Sequence, residues 1–118
     1  NFVDKFNDIS FALHLKYKDP CPNAVLERMD LGIIHIFSNS GGTPELVGNA
    51  GLGIDVKDNW NNQISVNHKT LLKTILKAIK IKKILKKNVK KRSIKFNYNN
   101  YIKLHKKIFL DVLNNEKQ

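Results

Sequence analysis

The chain has 118 residues, which allows one compact domain and excludes a large two-lobed enzyme within these residues. Its single cysteine excludes an internal disulfide and a cysteine-rich zinc site, and it favours a reducing, cytoplasmic environment. The net charge of +11 favours an anionic partner, and the most apolar run, residues 31–37, is far shorter than the about 18 residues that cross a bilayer.

The first half of the chain reads as alternating strands and helices. An apolar, partly β-branched run predicts a buried strand over Ile9–Leu15, and the segment Asp19–Asn23 follows it as a loop. The next helix is predicted over Pro22–Leu31, because proline is tolerated in a first turn and Gly32 is typical of a helix end. A second buried strand is predicted over Ile33–Phe37.

A second glycine-containing loop, Ser38–Gly42, follows this strand, and its small residues permit the close approach of another group. Thr43 as N-cap and Pro44 as first helical residue predict a short helix through Val47. A third, weaker strand is predicted over Gly51–Val56. This order indicates parallel βα units, in which ligands bind beyond the carboxyl ends of the strands. Both loops are therefore expected at that edge.

From Lys69 onward the pattern becomes helical, with apolar residues at steps of three and four and lysines on the opposite face. Three lysines at positions 82, 83 and 86 interrupt the apolar side, which predicts a break near residues 81–83 and a second helix to about Lys95. Asn97 is predicted to cap a last helix. Its buried stripe is predicted to be Tyr101, Leu104, His105, Ile108, Val112 and Leu113.

The fold class predicted from these elements is α/β, with a parallel sheet, flanking helices and C-terminal helices. The βα portion occupies residues 1–66, and residues 67–118 form basic helices of the same domain. Residues 1–66 carry 5 Lys and Arg against 8 Asp and Glu, whereas residues 67–118 carry 16 against 2. A basic half of this kind suits a nucleotide, a lipid phosphate, a membrane surface or a nucleic acid.

The basic charge also has a plainer interpretation. The chain contains 19 Lys, 15 Asn and 13 Ile, a bias expected of an AT-rich coding sequence, so the lysines can be solvated helix faces. Residues 69–95 contain no Phe, Tyr or Trp, which argues against nucleic-acid binding by base stacking. The four histidines have no metal-ligand spacing, and we interpret each as structural or exposed.

Two carboxylates, Asp19 and Glu27, are separated by seven residues. Asp19 lies on the first loop, and Glu27 lies one turn inside the predicted helix, whose first amides at Asn23 and Ala24 point back toward that loop. A diphosphate could rest on these amides while the carboxylates accept hydrogen bonds from sugar hydroxyls. Alternatively, both acids are surface charges near a helix N-terminus.

The phrases LHLKYKDPCPNAVLE and SNSGGTPELVGNAG resemble the carboxyl-terminal half of the family-4, or group 1, retaining glycosyltransferases, which have the two-lobed GT-B fold. The motif of that family is an acid, seven residues and a second acid, followed by G-G-x-P-E-L. The matching residues here are Asp19, Pro22, Asn23, Glu27, Gly41, Gly42, Pro44, Glu45 and Leu46. The FNYNNY phrase at residues 96–101 resembles the start of the family's last helix.

The resemblance implies a Rossmann-like lobe that binds a nucleotide sugar, with UDP- or GDP-sugar as donor. Asp19 would contact the transferred sugar and Glu27 the ribose, while Pro22, Asn23 and Ala24 lie at the diphosphate. Gly41 and Gly42 belong to the same site. The family uses no metal, because fixed positive groups and helix amides take the place of a divalent ion. The chain likewise lacks an acid-x-acid motif, and no cofactor is expected.

The resemblance also implies an acceptor lobe, and the family's phosphate-binding Arg and Lys, upstream of these motifs. The chain begins at Asn1 without a leader, and we expect a piece of a longer cytoplasmic enzyme that is inactive alone and whose basic half can place it peripherally at a membrane. In such a piece the apolar stripe of the last helix lacks protein to pack against, so we expect it to expose hydrophobic surface beside the basic charge and to attract anionic lipid. It departs from the family pattern at Asp19, Arg28, Asp30, Ile34 and His35. The alternative is a non-catalytic basic module that binds an anionic membrane surface or nucleic acid, although no nucleic-acid partner is expected of the glycosyltransferase.

Overall fold

The structure, a computed structural model, describes residues 3–57 and 65–115. A short 3-10 helix, Val3–Phe6, precedes the sheet. Three strands form this sheet in the order β1-β2-β3, all parallel, and they are β1 (Phe11–His14), β2 (Ile34–Ser38) and β3 (Leu52–Ile54).

Helix α1 (Asn23–Asp30) connects β1 to β2, and helix α2 (Thr43–Val47) with the 3-10 helix Gly48–Ala50 connects β2 to β3. Three helices follow the sheet: α3 (His68–Lys80), α4 (Lys82–Lys95) and α5 (Tyr98–Asn115). The predicted α/β class, a Rossmann-like parallel sheet with flanking and C-terminal helices, is confirmed.

The central strand β2 explains why an uninterrupted apolar run forms here. All five of its residues are buried, as expected of a parallel strand covered on both faces. His35 pairs with Ala12 and Phe37 pairs with His14. Because paired residues of parallel strands share a face, His14 and His35 lie on the same face of the sheet.

Helix α1 ends as the sequence predicts. Gly32 has φ +76°, a left-handed conformation that glycine adopts readily. Its N–H donates to the carbonyl of Met29 and the N–H of Ile33 donates to the carbonyl of Arg28, both over 2.9 Å. These two bonds form a Schellman motif, which turns the chain directly from α1 into β2.

Helix α2 begins one residue earlier than predicted. Gly42 is its N-cap, so the prediction that Thr43 caps the helix is wrong, and Thr43 and Pro44 are its first two residues. The reason is that the carbonyl of Gly42 already accepts a hydrogen bond of 3.0 Å from the N–H of Leu46. Thr43 is instead buried, 1% exposed.

The predicted break in the helical region is confirmed at Ile81, whose φ of −104° and ψ of 19° separate α3 from α4. Two asparagines cap helices with their side chains. Asn67 Oδ1 accepts from the N–H of Lys69 over 2.9 Å, and Asn97 Oδ1 accepts from the N–H of Asn100 over 2.9 Å. The predicted cap of the last helix is therefore confirmed.

The hydrophobic core lies between the sheet and the helices α1, α2, α3 and α4, and Ala50 joins it from the short 3-10 helix that follows α2. Its buried members are Val25, Met29, Ile34, Ile36, Phe37, Val47, Ala50, Ile54, Ala78, Leu85 and Val89.

The buried stripe predicted for α5 is wrong. None of the described residues of this helix is buried, and its apolar residues Tyr101, Leu104, Ile108, Val112 and Leu113 are between 50% and 58% exposed. His105 is half-buried, and its Nδ1 lies 2.9 Å from the carbonyl of Tyr101 in the same helix. Helical periodicity reveals an apolar face but does not say which element covers it.

Candidate functional site

The loops that follow β1 and β2 are joined at the carboxyl edge of the sheet. The N–H of Gly42 donates to the carbonyl of Asp19 over 2.8 Å, and the N–H of Lys18 donates to Ser40 Oγ over 2.8 Å. These bonds link residues more than twenty positions apart. The expectation that both motif-bearing loops lie at one edge of the sheet is confirmed.

The two glycines of the second loop make this contact possible. A Cβ at Gly41 would lie 2.7 Å from the backbone nitrogen of Asp19, and a Cβ at Gly42 would collide with the carbonyl of Pro20. Gly41 also has φ +64°, which disfavours other residues. The group that approaches these glycines in the structure is therefore the backbone of the β1 loop. Their contact with a ligand stays a prediction.

The Asp19 carboxylate lies among basic groups. Its Oδ2 is 3.5 Å from His14 Nε2 and 3.5 Å from Lys16 Nζ, and the side chain is 18% exposed. Both distances exceed those of good hydrogen bonds, so the carboxylate retains the capacity to accept stronger ones from a ligand hydroxyl.

Two buried histidines lie on one face of the sheet, and one of them, His14, faces the Asp19 carboxylate. His14 is 6% exposed and His35 is fully buried. Within the part of the chain that the structure describes, neither ring nitrogen of His35 has a hydrogen-bond partner. Burial, reinforced by the nearby charges of Arg28 and His14, lowers the pKa of His35 to about 4. Burial also lowers the pKa of His14, although the Asp19 charge opposes this shift. Both rings are therefore neutral at pH 7.

The start of α1 differs in detail from the predicted diphosphate cradle. Pro22 is a buried N-cap, and its carbonyl accepts from the N–H of Val25 over 2.9 Å. The N–H of Asn23 donates to the carbonyl of Cys21 over 2.9 Å. A diphosphate on the Asn23 amide would have to replace this bond. Ala24 is exposed in the first turn of α1, and contact between its amide and a diphosphate stays a prediction.

Glu27 is exposed on α1 and lies beside the C-terminal helices. It lines a cavity of about 270 Å³, whose other lining residues are Leu26, Asp30, Ser93, Phe96, Asn97 and Tyr98. Three of these belong to the phrase that resembles the start of the family's last helix. The structure thus places Glu27 beside the junction of α4 and α5, and Asp19 beside His14.

A crevice of about 250 Å³ opens at the carboxyl edge of the sheet. Its walls come from the loops after all three strands, and they are Tyr17, Lys18, Asn39, Ser40, Gly41 and Val56. Parallel sheets bind ligands in this position.

Lys18 is the unusual residue of this crevice. Its φ of 45° is left-handed, which is uncommon for a residue other than glycine, and such conformations concentrate at functional sites. Its Nζ lies 5.5 Å from the centre of the Tyr17 ring. Asn39 also lines the crevice, and its Nδ2 donates to Asp55 Oδ1 over 2.6 Å, which ties the β2 loop to the β3 loop.

Sequence reasoning placed Asn39 and Ser40 on the second loop at this edge but did not name them as members of the site, and it did not name Tyr17, Lys18 or Val56 either. Each of these residues follows a predicted strand or lies at its carboxyl end. This position in the sequence could have identified them as residues of the ligand-binding edge. A larger cavity of about 360 Å³ is lined by Asn49, Asn88, Lys91, Arg92 and Lys95. It lies beside the chain that enters β3, and its lining residue Arg92 donates hydrogen bonds to the carbonyls of Glu45 and Leu46.

Among the described residues, no group of three His, Cys, Asp or Glu side chains could hold a metal ion. Comparisons of the chain with protein-family models, curated proteins and solved structures found no match.

Proposed function

We propose that this chain is the nucleotide-sugar-binding part of a retaining glycosyltransferase. The observation that supports this most is the direct bonding of two motif-bearing loops, through Asp19 and Gly42, at the carboxyl edge of a parallel sheet. The first loop carries the acid of the resemblance, and the second carries its glycine pair. This edge is where a doubly wound sheet binds nucleotides.

The crevice has chemistry that suits part of such a ligand. Lys18 supplies a cation for phosphate, and Asn39 and Ser40 supply polar groups for hydroxyls. Its volume of about 250 Å³ is below the roughly 300–1,000 Å³ of pockets that enclose drug-sized ligands. It would therefore cover one part of a nucleotide sugar, with the rest lying along α1.

In this proposal Asp19 and Glu27 have separate roles. Asp19, on the loop, accepts hydrogen bonds from hydroxyls of the transferred sugar, and Glu27, exposed on α1, accepts them from the ribose. The diphosphate lies between them, near Asn23 and Ala24 at the start of the helix.

The proposed function is donor binding, not complete transfer. The resemblance places the acceptor lobe and the phosphate-binding Arg and Lys upstream of the motifs in this chain. Transfer needs donor and acceptor held together, a positioning effect worth several kcal/mol of barrier lowering, about 7–11 in favourable cases. We therefore expect purified 118-residue chain to transfer no sugar on its own.

The test is calorimetric titration of matched alanine variants with UDP and GDP. Glu27→Ala should weaken nucleotide binding about 10- to 150-fold, because a carboxylate on vicinal hydroxyls contributes roughly 1.5–3 kcal/mol. Asp8→Ala is the control, since it removes the same charge from an exposed residue that precedes β1, away from the carboxyl edge of the sheet, and should change binding less than about threefold.

Asp19→Ala separates the two carboxylates. It should leave the affinity for free nucleotide nearly unchanged, because its partner is on the sugar, and weaken binding of the intact nucleotide sugar. Equal losses in Glu27→Ala and Asp8→Ala would show a general charge effect and contradict the ribose contact. Equal effects of Asp19→Ala and Glu27→Ala on free nucleotide would contradict the division of roles.

A further inference from the structure

Helix α5 is amphipathic, and its apolar face is uncovered. At 100° per residue, one half of its circumference contains Tyr101, Ile102, Leu104, Ile108, Phe109, Val112 and Leu113. These side chains are between 43% and 66% exposed, and none of the described residues of the helix is buried. A continuous exposed apolar surface of this kind marks an interaction site.

The polar half of α5 is basic, and so is the helix before it. Lys103, Lys106 and Lys107 lie on the half of α5 opposite the apolar face, against one acid, Asp111. Helix α4 adds eight Lys and Arg and no acid over its fourteen residues. The chain thus presents an apolar helix face next to a dense positive charge.

We infer that α5 binds an anionic lipid surface, lying in the plane of the interface with its apolar face in the acyl region. A basic amphipathic helix with aromatic residues on the apolar side is suited to this position. Lysines flanking the apolar face can extend toward lipid phosphates while their methylene stems stay with the acyl chains. In the described part of the chain, no helix has both the length and the hydropathy of a membrane-crossing segment.

Charge complementarity favours lipid over a second copy of this chain. Two copies would bring net charges of +11 together, whereas an anionic leaflet attracts each Lys or Arg near its surface by about 1 kcal/mol, or about fivefold in affinity. A second copy is the competing occupant, and the experiment below distinguishes it from lipid.

The experiment is co-sedimentation of the 118-residue chain with two kinds of vesicle, pure phosphatidylcholine and phosphatidylcholine mixed with phosphatidylglycerol. Binding should be strong for the anionic vesicles at low salt, weak for neutral ones, and reduced by added salt. Phe109→Asp places a charge in the apolar face and should weaken anionic-vesicle binding about tenfold or more.

Leu110→Asp is the matched control. It makes the same change at the neighbouring residue, which is 49% exposed and lies on the polar half of the helix. Both variants carry the same net charge, so a difference between them reports insertion rather than attraction. Because both positions are exposed, circular dichroism should show an unchanged fold.

A second variant tests the charges alone. Lys103→Gln combined with Lys107→Gln should lower binding to anionic vesicles about 25-fold, at about fivefold for each lysine. It should leave weak binding to neutral vesicles unchanged.

Three results would overturn the inference. The first is equal binding of neutral and anionic vesicles at low salt, or no binding to either. The second is an equal loss for Phe109→Asp and Leu110→Asp. The third is a dimer in analytical ultracentrifugation that Phe109→Asp dissociates while vesicle binding is absent, which would identify a second copy as the occupant.

Discussion

The backbone N–H of Gly42 donates a 2.8 Å hydrogen bond to the carbonyl of Asp19. One bond thereby connects the N-cap of α2 with the residue that carries the first acid of the proposed site. The loop after β1 cannot move without disturbing the start of α2. The position of the Asp19 carboxylate therefore depends on the small residues of the other loop.

Gly41→Ala should destabilise the chain more than Gly32→Ala. Both glycines have left-handed φ, +64° and +76°, so both variants pay a conformational cost of about 1–2 kcal/mol. Only the new Cβ at Gly41 meets backbone, 2.7 Å from the nitrogen of Asp19, whereas nothing lies within 4 Å of the one at Gly32. This contact should cost a further about 1–3 kcal/mol in urea denaturation. An equal loss of stability in Gly41→Ala and Gly32→Ala would contradict this, because it would show that the two loops can separate at no cost in free energy.

The sheet and its two connecting helices were predictable because local sequence determines them. The apolar run at Ile33–Phe37 has the length of a buried strand and is bounded by Gly32 and the small residues of the next loop. Gly32 ends the preceding helix by a hydrogen-bond pattern that involves only neighbouring residues. The start of α2 was wrong by one residue because Gly42, not Thr43, supplies the first helical carbonyl. The predicted burial of α5 was wrong because helical periodicity shows which residues form an apolar face but not whether another element packs against it.

Stability should fall as the pH is lowered below about 6.5, because of His35. Its pKa is lowered to about 4 in the folded chain from the ordinary value of 6.5. The unfolded chain therefore binds more protons between these values, and stability present at neutral pH is lost as the pH falls through this window. The loss from pH 7 to pH 5 should be about 2 kcal/mol in urea denaturation.

His35→Leu is the variant that assigns this pH dependence. It removes two buried nitrogens that have no partner among the described residues, so it should preserve or raise stability at pH 7 and flatten the decline toward pH 5. His14→Leu should flatten it less, because the Asp19 charge opposes the lowering of the pKa of His14. An unchanged decline in His35→Leu would exclude His35 as its source.

Arg92 should stabilise the C-terminal end of α2. Its Nε donates to the carbonyl of Leu46 over 2.9 Å, and its Nη2 donates to the carbonyl of Glu45. Arg92→Lys keeps the charge, but an ammonium group lacks the planar geometry by which the guanidinium donates to both carbonyls. The substitution should therefore lower the free energy of unfolding by about 1–3 kcal/mol. Lys91→Gln, an exposed neighbour, is the control and should cost less than about 0.5 kcal/mol. Equal thermal stability of Arg92→Lys and the unmodified chain would contradict this role.

The site was predictable only in outline. The carboxyl edge and its two loops follow from the order of strands and helices, and Asp19, Gly41 and Gly42 do lie there. The contacts between His14 and Asp19 and between Lys18 and Ser40 are tertiary, and no local pattern reports them. The occupied amide of Asn23 depends on the turn at Cys21, which helix-start preferences alone do not resolve.

The most direct test of the proposed function is isothermal titration of the chain with UDP, GDP and inorganic pyrophosphate at low and high salt. We predict saturable micromolar to millimolar binding of UDP or GDP that persists at high salt. Pyrophosphate should bind about tenfold or more weakly, because it lacks the ribose that we propose as the partner of Glu27. Equal binding of nucleotide and pyrophosphate that disappears at high salt would instead identify a basic surface without a nucleotide site.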